Sequence, residues 1–203
     1  MSTIATREEL RDCYPQPLER SLRKSLTALD AHMRRFISLS PFLCLGTSSA
    51  GGSDVTPRGD SPGFVHVLDD RTLLIPDWPG NNRLDSLTNV VANPQVGLLF
   101  FIPGVNETLR INGVAEITME PAFVERWTVH GKHPRSAMRV TVREAYLHCA
   151  KALMRSRLWQ DDYRIERTEL PTYAQMLKDQ NVTTQSVEEL QASIDESYAT
   201  RLY

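Results

Sequence analysis

Little in this 203-residue chain points to a membrane, a disulfide framework or a polyanionic partner. No apolar run is long enough to cross a bilayer; Leu98–Ile102 falls far short. The formal net charge is -2, so no global basic field favours nucleic acid, and a bound phosphate would need a local basic site. The three cysteines, Cys13, Cys44 and Cys149, are odd in number and widely spaced, which suits free thiols in a reducing compartment. The opening MSTIATREELRDCYP has acidic residues and no apolar core segment, and so does not read as a secretory signal. Also missing are G-x-G-x-x-G, a P-loop lysine motif and G-x-S-x-G, which leaves Rossmann, P-loop and α/β-hydrolase sites without support. There is no internal repeat, low-complexity tract or obvious linker. The expectation is a soluble, cytoplasmic, single-domain protein with no membrane or nucleic-acid partner.

The patterning that is present divides the chain into three stretches. In residues 1–40, Thr6-Arg-Glu-Glu9 reads as a capping box opening a short helix. Leu18, Leu22, Leu26, Leu29, Met33 and Phe36 then recur at helical spacing and predict one amphipathic helix closed by Pro41. Residues 41–143 change texture to short strands. Phe42–Thr47 and Val55–Arg58 flank the turn Ala50-Gly51-Gly52-Ser53, and Phe64–Leu68 and Thr72–Ile75 flank Asp69-Asp70. A helix is predicted over Asn81–Val91, followed by strands Val96–Ile102, Glu107–Thr118 and Ala137–Val142, with Pro121 starting a short helix between the last two. Residues 144–203 read as helical, over Glu144–Ser156, Pro171–Leu177 and Ser186–Tyr198. Short strands with one helix dropped among them argue for a mainly β fold, a barrel carrying N- and C-terminal helices.

The chemistry concentrates in Thr56–Phe64 and Ile75–Asp85. Arg58 ends a strand with one buried face, where an unpaired arginine is costly. Asn81-Asn82-Arg83 follows Pro79-Gly80 at a predicted helix start, where free N–H groups and the dipole attract phosphate. An arginine there adds a two-pronged donor, and Arg58 and Arg83 together could hold one phosphate dianion. The competing possibility is that Asn81 or Asn82 only caps the helix while Arg83 pairs with Asp85 or Asp60. His130 and His133 in HGKHP lack the companions of a metal site, so no metal is expected.

Together these runs resemble a known family. Pro57-Arg58-Gly59-Asp60, Pro62-Gly63-Phe64, Ile75-Pro76-Asp77, Pro79 to Leu87, Asn93-Pro94, Gly97 to Phe100, Glu107 to Arg110 and Asn112-Gly113 are similar to the pyridoxamine 5′-phosphate oxidase-like flavoproteins, in particular their bacterial FMN-binding branch. The similarity is densest from Phe42 to Glu116 and continues loosely through Tyr146-x-His-Cys-x-Lys151 and Ser156-Arg-Leu-Trp159. It implies an FMN-binding split barrel, Greek-key and mostly antiparallel, in a homodimer with FMN at the subunit interface. By position, the resemblance puts Arg58 at the FMN phosphate and ribityl chain and Pro57 and Gly59 beside the ring. Ile75, Pro76 and Asp77 would run past the ring, Asn82 and Arg83 would bind phosphate, and Arg110 and Asn112 would reach the flavin from the other subunit. Tyr146, His148 and Lys151 are candidates for the substrate. The authentic oxidase has Arg-Lys where this chain has Asn82-Arg83, and its C-terminal Arg and His substrate motif is missing here. The resemblance therefore implies an FMN-dependent oxidoreductase for a small molecule other than pyridoxamine phosphate. A flavin store, a redox sensor, or a split barrel holding haem or a deazaflavin are the alternatives.

Overall fold

The computed structural model describes residues 3–203. Seven strands, β1 (Phe42–Ser49), β2 (Gly52–Gly59), β3 (His66–Val67), β4 (Thr72–Asp77), β5 (Gln95–Phe101), β6 (Thr108–Thr118) and β7 (Ser136–His148), form one sheet in the order β2-β1-β5-β6-β7-β4-β3. Each pairing is antiparallel. The sheet curls until its ends meet: Arg58 on β2 reaches Asp77 on β4 at 2.7 Å. This is a split barrel whose seam is bridged by side chains and not by a ladder.

Alternation along the strands fills the interior. Leu45, Leu98, Ile111 and Ala145 fall in register across β1, β5, β6 and β7, and all are buried. The neighbouring rung of Leu43, Phe100 and Leu109 is equally buried. Burying such side chains contributes roughly 1.5–3 kcal/mol each, which is the main drive for closing the barrel. Helix α3 (Ala31–Leu39) lays Met33, Phe36 and Ile37 onto this core, and helix α4 (Asp85–Ala92) adds Val90.

Three sequence expectations fail, for local reasons. The single N-terminal helix is replaced by α2 (Glu19–Arg23), a break, and α3, while the capping box of α1 (Arg7–Asp12) forms as expected. Leu26 leaves the helical pattern to bridge Ala145, and Asp30 starts a new helix by accepting from the Met33 N–H at 2.8 Å. Leu18 and Leu22 stay exposed. While α5 (Pro121–Val124) forms where Pro121 predicts a short helix, the helix predicted from Glu144 is absent, because β7 runs on to His148 and only α6 (Lys151–Ser156) is helical there. Finally, α4 begins at Asp85 and not at Asn81.

A register shift explains the second failure. Asn112 pairs with Glu144 but Gly113 pairs with Val142, so Arg143 is an extra residue on β7. The bulge moves the inward positions from Val142 to Ala145, a spacing of three that imitates a helix. Beyond β7, α6 leads through two single-turn 3-10 helices to α7 (Tyr173–Asp179) and α8 (Val187–Thr200), the latter with the expected Ser186–Glu189 capping box.

Candidate functional site

A cleft of about 390 Å³ opens at the seam, between the end of β2, the end of β4 and the loop leading into α4. Arg58, Asp77, Asn82 and Arg83 all line it, joined by Thr56, Trp78, Ser86 and Arg135. Sequence reasoning singled out the first four and missed Arg135. That residue precedes β7, next to the Ser136 that pairs with Asp77, and nothing local in the sequence marks it. Ile75 and Pro76 are buried in the wall beneath the cleft, and Pro57 and Gly59 occupy the alternate positions of β2, on its other face.

Arg58 projects inward from β2 on the rung of Leu43, with 22% of its side chain exposed. Its Nη1 donates to Asp77 Oδ1 at 2.7 Å, yet its Nε is buried with no partner. Arg83 Nε donates to Asp85 Oδ2 at 2.8 Å, and this carboxylate raises the arginine pKa still further. Pairing with Asp85 was one of the two arrangements left open by the sequence. Helix capping by an asparagine was the other half of that alternative, and it is not seen. Asn81 Oδ1 instead accepts from the Arg83 N–H at 3.0 Å, and the residue preceding α4, Leu84, makes no side-chain cap.

The loop is bent by two left-handed residues, Asn82 at φ 56° and Leu84 at φ 58°. Asparagine tolerates this conformation, but for leucine it costs roughly 1–2 kcal/mol. The bend turns the first turn of α4, whose leading N–H groups have no intrahelical acceptor, toward the cleft. A bond between Thr56 Oγ1 and Ser86 Oγ at 3.0 Å fixes that turn against β2. Three arginines and two aspartates give the lining a formal excess of one positive charge.

The far wall is secured by Asp60. Its carboxylate accepts from Trp78 Nε1 at 3.2 Å and from Tyr203 Oη at 2.9 Å, and the Tyr203 ring stands edge-on to Trp78 with centroids 4.9 Å apart. Lys132 Nζ donates to the Tyr203 carbonyl at 2.8 Å. Burial and the Asp60 bond push the Tyr203 hydroxyl pKa up, the bond being the larger cause.

The remaining candidates lie elsewhere. Arg110 shares a rung with Pro57, Cys44, Leu99 and Tyr146, and Asn112 with Glu144, so both occupy the outer face of the sheet. His148 is opposite Thr108 on that same face, whereas Lys151 is exposed at the start of α6. Because residues 144–148 are strand, Tyr146 and His148 stand on a sheet and not on the helix predicted over Glu144–Ser156.

Other features resolve into structure. Trp159 donates to the Val105 carbonyl at 2.9 Å, His133 Nδ1 lies 3.0 Å from the Trp127 carbonyl, and no group suited to a metal occurs among the described residues. None of the described helices is long and apolar enough to cross a membrane.

The solved structures of one streptococcal protein share the fold. HupZ of Group A Streptococcus superposes with a TM-score of 0.50 at 17% identity, over 59% of this chain and 93% of that one. A single-substitution form of HupZ gives 0.50 at 17% identity, over 59% of this chain and 98% of that one. A Clostridium acetobutylicum protein related to general stress protein 26, of the pyridoxinephosphate oxidase family, gives 0.44 at 14%, over 59% and 90%. No curated protein matches the chain. A family model described as pyridoxamine 5'-phosphate oxidase matches residues 29–149, more than half of the chain, and the protein belongs to that family.

Proposed function

We propose that the chain binds FMN in the seam cleft and acts as an FMN-dependent oxidoreductase on a small molecule, as a homodimer in which the second copy brings Arg110 and Asn112 to the flavin. The observation that carries the reading is Arg58, which lines the cleft and keeps a buried Nε without a hydrogen-bond partner. An orphaned guanidinium N–H is costly, and a phosphate oxygen would satisfy it with charge-assisted geometry. Arg83, Asn82 and the first-turn residues Asp85, Ser86 and Leu87 of α4 line the same space, where a helix N-terminus favours an anion.

When bound, FMN supplies the hydride and electron chemistry. The protein positions it. Asp77 keeps the Arg58 guanidinium aligned, so the arginine meets an anion in a fixed orientation instead of searching for it. Trp78, held by Asp60 and Tyr203, walls the cleft and keeps water from one side.

A flavin store or redox sensor without turnover is the second reading, and one observation favours it. The cleft lining contains no histidine, lysine, cysteine or tyrosine that could move a proton. Oxidation of NAD(P)H under air by the FMN-loaded protein would decide between the two.

The test of the site is titration of the ligand-free protein with FMN and with riboflavin, which lacks the phosphate, followed by flavin fluorescence. The wild type should prefer FMN. Arg58→Ala should weaken FMN binding about tenfold or more and erase that preference, in line with the loss of a charge-assisted hydrogen bond. Arg83→Ala, more exposed, should cost about threefold. Full FMN affinity in both variants would remove the cleft from consideration.

A further inference from the structure

The outer face of the sheet gathers cationic groups around one aromatic ring. Lys24 Nζ lies 4.9 Å from the Tyr146 ring centroid, the Arg110 guanidinium carbon 5.7 Å from it, and the His148 ring centroid 5.0 Å from it. These side chains come from three separate places: the turn after α2, β6 and β7.

Their donors are mostly unused. Arg110 makes one long bond, Nε to Asn112 Oδ1 at 3.5 Å, and has no carboxylate partner among the described residues. The His148 imidazole has no hydrogen bond among the described residues, and the Lys24 Nζ donates once, to the Leu147 carbonyl at 3.1 Å. Glu144 is the carboxylate of this face, and it is already occupied by Ser25 Oγ at 2.6 Å and Asn112 Nδ2 at 2.7 Å. Those two bonds, with the Arg110 charge as a smaller cause, hold its pKa below the usual carboxylate range. Burial, then Lys24 and Arg110, push the imidazole of His148 down.

Lys24 and Arg110 bring two exposed positive charges to a face whose one nearby carboxylate, Glu144, is already held by Ser25 and Asn112, so an added anion would ease their mutual repulsion. We infer that Lys24, Arg110 and His148, arranged around Tyr146, form an oxyanion subsite that takes the carboxylate or phosphate group of the small-molecule substrate. The inference rests on the flavin reading for the word substrate, but the subsite itself does not. Tyr146 offers cation–π support that keeps the two long side chains extended over the ring and their donors outward. Arg110 has a free planar edge for two oxygens, Lys24 supplies a point charge, and His148 a short-range donor. The substrate class is therefore a small organic acid or phosphate ester.

The test reads His148 directly. The chain contains five histidines, and the His148 Cε1 proton can be assigned by its loss in His148→Gln. In the ligand-free full chain, inorganic phosphate and, separately, benzoate are titrated while this proton is followed against pH by NMR. Bound oxyanion should raise the apparent pKa of His148 in a saturable way. Arg110→Gln and Lys24→Gln should each weaken phosphate binding at least fivefold, and also raise the His148 pKa before any anion is added. Arg139→Gln, which breaks an ion pair with Glu116 elsewhere, should do neither. No saturable response, or equal responses in Arg110→Gln and Arg139→Gln, overturns the subsite.

A second arm separates substrate from cofactor. If Arg110→Gln and Lys24→Gln keep the wild-type preference for FMN over riboflavin, the anion belongs to a substrate; if they lose it, the cluster serves the cofactor phosphate and the substrate assignment is wrong. A wild type that binds phosphate here but no FMN would sink the flavin reading and leave the oxyanion subsite standing.

Discussion

The two faces of the sheet treat arginine in opposite ways. At the seam, Arg58 and Arg83 each have an aspartate partner, Asp77 and Asp85, at 2.7 and 2.8 Å. On the outer face, Arg110 and Lys24 share no carboxylate of their own and rest on an aromatic ring. A paired arginine holds geometry and lends little net potential, whereas an unpaired one holds potential and depends on packing for its direction. On the proposed reading, the seam would place an anion at a set distance and the outer face would attract one.

The bulge that separates the two faces offers the largest way to break this comparison. A Cβ added at Gly113 would lie 2.5 Å from the Thr141 carbonyl oxygen, a backbone atom that cannot turn aside. Gly113→Ala should destabilise the protein by about 3 kcal/mol, the upper end for overpacking, and lower the thermal midpoint by about 10 °C. Calorimetry would measure it, and a midpoint within a degree of the wild type would mean the two faces are not locked in phase by this residue.

A smaller effect sharpens the contrast between pairs. Asp77→Asn leaves a mostly buried guanidinium without its counter-charge and should cost about 2 kcal/mol, between the values for buried and exposed pairs. Asp85→Asn, whose partner Arg83 is largely exposed, should cost clearly less than Asp77→Asn. Urea unfolding of both variants compares them directly; equal losses would contradict a seam held by Arg58 and Asp77.

The smallest effect belongs to the outer face and depends on pH. Glu144 has a depressed pKa in the folded protein, so its bonds to Ser25 and Asn112 contribute fully above the ordinary carboxylate range. That contribution fades as pH falls through the lowered folded value. Glu144→Gln should therefore cost about 1 kcal/mol at pH 7, with the gap to wild type closing below the usual glutamate pKa. A gap that stays constant into acid would show that the charge is not what Ser25 and Asn112 bind.

What was legible in the sequence follows from the same physics. Turn-forming residues mark the β1–β2 hairpin and the loop before α4, so Arg58, Asp77, Asn82 and Arg83 can be grouped from the sequence alone. Hydrophobic spacing was less dependable. Leu18, Leu22 and Leu26 have a helical period, but tertiary pairing of Leu26 with Ala145 overrides it, and the cap at Asp30 was the signal that a new helix begins. The bulge at Arg143 converted a strand into an apparent helix by changing its phase. Lys24 and Arg135 carry no local mark, because each acquires its place only through a neighbour distant in sequence.

The Asp60–Trp78–Tyr203 contact has a consequence for how the cleft comes into being. Asp60 and Tyr203 are separated by 143 positions, so the wall they complete cannot form during synthesis until nearly all of the described chain is available. The barrel rungs, made of residues 42–148, can close well before that. A nascent chain would therefore pass through a stage with a finished core and the Asp60–Trp78–Tyr203 contact still unmade.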